Sequence, residues 1–191
     1  MSDMSSDYMS RSIAWERFDV VYGGVQKNLG PAGVDLTFVR KSVLENTRRD
    51  LATYLRYDIH AARDSMYNTP PVFSIYMMGK VLKWIQALGG VAAMEERAAR
   101  RSAMVYDAID TSDGFYRSPA SVTYRSHMNI VFRLSDEEME SAFIFEAEKR
   151  SMVGLRGHRD VGGIRASIYN AMPDEGVEAL VELMREYRAA D

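Results

Sequence analysis

Twelve residues, Tyr22-Gly23-Gly24-Val25-Gln26-Lys27-Asn28-Leu29-Gly30-Pro31-Ala32-Gly33, constrain this chain more than any other stretch. The run before them, Phe18, Val20, Val21 and Tyr22, has the β-branched and aromatic composition of a buried strand. Gly23 and Gly24 are expected to end that strand. With Gly30 and Gly33 they allow close approaches and backbone conformations that a Cβ forbids, while Pro31 stiffens the loop. A second apolar strand is expected over residues 34–39. The connection between the strands then holds one cation, Lys27, partly shielded from water. Shielding of that kind favours a neutral amine able to attack a carbonyl. On spacing alone, a lysine in a glycine-containing loop is usually a solvated turn residue. A phosphate-cradling loop is the other possibility, although neither the Walker pattern nor GxGxxG is present.

The remaining patterns alternate. Residues 41–55 suggest a helix, with Ser42 and Glu45 at capping-box spacing, and residues 56–69 lack clear periodicity. Pro70 and Pro71 suit the opening turn of a helix whose stripe Val72, Ile75, Met78, Gly79, Leu82 and Ile85 reads as core and ends at Gly89-Gly90. A charged helix follows over about 91–109. After Thr111 the pattern becomes strand, helix, strand, strand, helix. Met128, Ile130 and Phe132 alternate with Asn129, Val131 and Arg133. Ser135 and Glu138 repeat the capping-box spacing before a helix through about Lys149. Short strands are expected near 152–155 and 164–169, and Pro173 opens a last amphipathic helix.

Composition narrows the functional classes. With 191 residues, 47% hydrophobic and 27% charged, the chain can bury one good core or two small ones. No apolar run reaches the ~18 residues of a membrane span, and the N-terminus lacks the regions of a signal peptide, so no membrane role is expected. A net charge of -3 gives no electrostatic case for nucleic acid. The absence of cysteine excludes a disulfide framework, a thiolate metal site and a cysteine nucleophile. The scattered His60, His127 and His158 argue against any metal site. A cytoplasmic location is compatible with all of this.

Five segments together carry a resemblance: Asp3-Met4-Ser5-Ser6-Asp7, Gln26-Lys27-Asn28, Tyr67-Asn68-Thr69-Pro70-Pro71, Gly157-His158-Arg159, and Gly163-Ile164-Arg165-Ala166-Ser167-Ile168-Tyr169-Asn170. In order and spacing the chain resembles the phosphoserine aminotransferase family of class V, fold-type I enzymes dependent on pyridoxal 5'-phosphate (PLP). The likeness spans essentially the whole chain but only the C-terminal half of such an enzyme. It implies an α/β fold: the last strands of the large-domain mixed sheet over about 1–80, then a small C-terminal α/β domain over 81–191. Asp3-Met4-Ser5-Ser6 would be the end of a large-domain strand and its turn. That strand and the one ending at Tyr22 would expose unpaired edges without the N-terminal half.

The resemblance also assigns roles. Lys27 is implied as the catalytic lysine that carries the cofactor and moves the substrate's Cα proton. Asp3 matches the aspartate paired with the pyridine nitrogen, keeping it protonated so that the ring can absorb the negative charge left at Cα. Gln26 matches a residue near the cofactor phosphate, and Asn68 with Thr69 the pair reaching that phosphate from a neighbouring subunit. Arg165 matches the residue for the substrate α-carboxylate, and His158 and Arg159 those for the distal carboxylate or phosphate, again across a homodimer. The implied substrates are phosphoserine or 3-phosphohydroxypyruvate with 2-oxoglutarate or glutamate, in serine biosynthesis.

The family's ring-stacking residues, its phosphate-holding glycine turn and an N-terminal substrate arginine have no counterpart in these 191 residues. Loosening a site by ~1 Å can cost ~100-fold in rate, so the isolated chain is expected to turn over little. The competing reading is a non-catalytic fragment, a dimerising or anion-binding α/β module.

Overall fold

The computed structural model describes residues 1–48 and 50–190, which form two compact units, the first Met1–Ala92 and the second from Ala93 onward. The first unit is built on a mixed three-stranded sheet in the order β1 (Ser2–Asp3), β2 (Val20–Gly24), β3 (Asp35–Val39). Strand β1 runs parallel to β2, with Asp3 opposite Tyr22, and β3 runs antiparallel to it, with Gly24 opposite Asp35. The strand through Tyr22 therefore lies in the middle of the sheet, paired on both sides. Among the described residues the free edges are those of β1 and β3. Nor do the glycines stop β2, which runs through both of them. A Cβ on Gly23 would sit 2.6 Å from the Ser5 nitrogen, so glycine is needed for the Met4-Ser5 backbone to cross the strand end.

Two helical expectations fail for local reasons. The helix expected over 41–55 is the single turn α1 (Lys41–Glu45), with Ser42 inside it and no side-chain cap. Asn46 Nδ2 donates to Ser42 O at 2.7 Å and Thr47 Oγ1 to Val43 O at 3.1 Å, so side chains take carbonyls that a longer helix would use. The aperiodic stretch contains a short helix, α2 (Tyr57–Ala61). Helix α3 (Val72–Ala87) follows Pro71 as expected, but of its supposed core stripe only Ile85 is buried, whereas Val72 is 69% exposed.

Helix α4 (Gly90–Asp110) leads into the second unit, whose sheet has the order β4 (Asn129–Phe132), β6 (Gly162–Ser167), β5 (Arg156–His158). All its pairings are antiparallel. With α5 (Glu137–Lys149) and α6 (Asp174–Ala190), this is the expected strand, helix, strand, strand, helix unit. Alternation puts Ile130, Phe132, Ile164 and Ala166 into one core with Phe143, Val177, Leu180 and Met184. Tyr116, Phe132 and Phe143 meet edge to face there, with centroids 5.5 to 6.1 Å apart. The cap of α5 is Asp136, which accepts from Met139 N, while Ser135 instead bonds to that aspartate. The strand expected near 152–155 begins only at Arg156, because Ser151 and Gly154 are in the left-handed region and the chain is still turning off α5.

Candidate functional site

The sheet of the first unit brings Asp3 and Lys27 together. Asp3 ends β1, and its neighbour β2 leads directly into the turn that carries Lys27. That turn is helical in its bonding, with Leu29 N and Gly30 N both donating to Val25 O, and it leaves Lys27 half-buried between buried Val25, Asn28 and Leu29. The turn after β1 is tied to it twice: Gly24 N donates to Ser5 Oγ at 3.1 Å, and Asn28 Nδ2 donates to Ser6 O at 2.7 Å. The Asp3 carboxylate accepts from Ser5 Oγ at 2.6 Å and Ser5 N at 2.8 Å. Those two bonds, with a smaller contribution from the Lys27 charge, hold its carboxyl below the ordinary carboxylate range against a small opposing effect of burial. The Asp3 carboxylate and the Lys27 side chain thus lie at one strand end.

Tyr8 anchors the same turn to the sheet. Its hydroxyl donates to Leu36 O at 2.8 Å, and burial, assisted by the charges of Asp3 and Asp35, pushes it up to about 12, so it remains a neutral donor. The sequence alone assigns no role to Ser5 or Tyr8. The Asp-x-Ser spacing is a signal that could have found Ser5, since a side chain bonding its backbone two residues on is a common turn. Tyr8 offers no such signal.

Asn68 and Thr69 lie elsewhere in the first unit, exposed just before Pro70. Asn68 lines a cleft of about 620 Å³ whose other walls include Asp35, Thr37, Tyr54, Tyr57 and His60, and neither Asp3 nor Lys27 borders it. Gln26 sits beside Lys27 and is exposed, its amide close above Gly24, where a Cβ would meet Gln26 Oε1 at 2.2 Å. One chain therefore groups Asp3, Gln26 and Lys27 but not Asn68 or Thr69.

In the second unit the three anion-binding candidates divide. Arg165 lies on β6 opposite Val131, on the sheet face away from Ile164 and Ala166, and its Nε is buried without a hydrogen-bond partner. A buried guanidinium N–H left open in this way is a ready donor to a carboxylate oxygen. His158 and Arg159 stand at the exposed β5–β6 hairpin, where Asp160 lies 3.5 Å from His158 Nδ1 and 3.8 Å from Arg159 Nε. Gly162 and Gly163, both in the left-handed region, shape the return strand.

The profile of the aminotransferase class-V family matches residues 1–180. The phosphoserine aminotransferase of Lysinibacillus sphaericus is 50% identical over 188 residues, covering 98% of this chain and 52% of that protein. The solved structure of the phosphoserine aminotransferase from Bacillus circulans subsp. alkalophilus matches with a TM-score of 0.93 at 48% identity, over 98% of this chain and 52% of that one. The PLP-bound enzyme from Trichomonas vaginalis matches with a TM-score of 0.89 at 37% identity, over 96% and 52%. The chain spans about half the length of these relatives. Among the described residues, no helix is long and apolar enough to cross a membrane.

Proposed function

The chain belongs to the aminotransferase class-V family, and from that premise we propose that it supplies the cofactor lysine and substrate arginines of a PLP-dependent phosphoserine transaminase. The observation that carries this reading is the convergence of Asp3 and Lys27 at one strand end. The residues there fit the cofactor: an aspartate kept ionised suits a pyridinium nitrogen, and glycine at 23 lets the Met4-Ser5 backbone that follows Asp3 pack closely against the strand leading to Lys27. PLP, when bound, acts as the electron sink for the charge left at the substrate Cα.

Each side chain then has a task. Lys27 Nζ holds the cofactor and is the base that takes the substrate's Cα proton and returns it. Asp3, fixed by Ser5, keeps the ring nitrogen positively charged. Gln26 offers an amide donor to phosphate oxygens, as do Asn68 and Thr69 from the neighbouring copy of a homodimer. Arg165 fixes the substrate α-carboxylate through its open guanidinium edge, and His158 with Arg159, at an exposed hairpin, receives the distal carboxylate or phosphate. The substrates are phosphoserine and 2-oxoglutarate, the setting is cytoplasmic serine biosynthesis, and residues 1–80 are the C-terminal part of the PLP-binding domain, with the small domain over 81–191.

The experiment is a chimera that joins the N-terminal half of the Lysinibacillus sphaericus enzyme to this chain. Phosphoserine-dependent formation of glutamate, abolished by Lys27→Ala, is the expected result. A folded chimera without that activity would sink the proposal. The 191-residue chain assayed alone is expected to show little turnover.

A further inference from the structure

His60 has no part in the chemistry above, yet the segment before Pro70 is folded around it. Its Nε2 lies 3.0 Å from Tyr54 O, and since a carbonyl only accepts, Nε2 carries the hydrogen. Its ring stands edge-on to Tyr54 at 5.3 Å and to Tyr67 at 5.7 Å between centroids. Its own carbonyl accepts from Ser65 N at 3.0 Å, closing the end of α2 in the six-residue manner of a helix stop, and Met66 N then bonds to Arg63 O at 2.8 Å. Asp64 and Ser65 both take left-handed backbone without being glycine, a conformation that persists only where its surroundings enforce it. Asn68 follows Tyr67 directly and lines the same cleft as His60.

We propose that His60 is a positioning residue: by clamping Tyr54 and Tyr67 it sets the arm of residues 65–69, and with it the donors of Asn68 and Thr69. The functional half of this inference rests on the reading that Asn68 and Thr69 hold the cofactor phosphate. One side-chain hydrogen bond and two ring contacts are lost together in His60→Ala, whereas His60→Gln keeps an amide donor near the position of Nε2.

The test is amide hydrogen exchange on the whole chain, in parallel with titration by PLP and by phosphate-free pyridoxal. In His60→Ala the Ser65 and Met66 amides should exchange about tenfold faster while Val25 N, bonded to Val34 O between β2 and β3, stays protected. His60→Gln should restore most of that protection. Affinity for PLP should fall about tenfold in His60→Ala with pyridoxal affinity unchanged. Wild-type exchange at Ser65 and Met66 in His60→Ala would overturn the positioning role. A loosened arm with PLP and pyridoxal bound equally by both proteins would uphold His60 as the clamp and overturn the phosphate role of Asn68 and Thr69.

Discussion

At the scale of single residues, the proposed cofactor site depends on atoms that almost touch. Gly23 is the clearest case: an added Cβ would meet Ser5 N at 2.6 Å and Ser5 Cα at 2.9 Å, both backbone, so neither can swing away. Gly23→Ala is expected to destabilise the first unit by about 1–3 kcal/mol, read by denaturant unfolding, and to displace Asp3. Asp3 itself gives a pH prediction. Its carboxyl is held down chiefly by the Ser5 hydroxyl and amide, so its folded value lies below its unfolded one. The stabilising contribution is then fully present above the ordinary carboxylate value and is lost as pH falls through the depressed one. Ser5→Ala should move the Asp3 titration upward, as followed by carboxylate NMR. Lys27 and Asp3 are singled out by the family resemblance that their local segments carry, whereas spacing alone reads both as solvated residues. Neither route singles out His60, since its partners stand six and seven residues away and leave no periodic mark.

Elements were legible where burial enforced a period and illegible where side chains competed with the backbone. Phe132 belongs to the first class. It alternates correctly, is fully buried and meets both Tyr116 and Phe143, so Phe132→Ala should cost about 3–5 kcal/mol in chemical denaturation of the second unit. Helix α1 belongs to the second, because Asn46 and Thr47 cap its carbonyls after one turn. The α5 cap shows how fine the ambiguity is: Ser135 and Asp136 are both good capping residues, and only geometry chooses the aspartate. Asp136 is held below the ordinary range first by Met139 N and then by Ser135. Its help to the helix is therefore in place above the ordinary carboxylate value. Asp136→Asn should lower the Tm at neutral pH, and the difference from wild type should close as pH falls through the depressed value.

For the whole molecule, what matters is that the proposed cofactor residues and an exposed apolar surface occur in the same chain. Phe73 and Tyr76 on α3 are 71% and 58% exposed, beside Val72, a patch of the kind that marks an interface. The proposed homodimer should appear in sedimentation as a two-chain species, and a strict monomer at micromolar concentration would remove the route by which Asn68, His158 and Arg159 reach a neighbour's site. Sequence could not show the stripe's exposure, because helical spacing reports an apolar face without saying what covers it. Whether Asp3 and Lys27 form a cofactor site within this chain is read most directly from the absorption spectrum of PLP added to the purified protein. A protein-bound band that shifts with glutamate and is missing in Lys27→Ala is the expected result. Identical spectra for the wild type and Lys27→Ala would mean that Lys27 does not hold the cofactor in this chain.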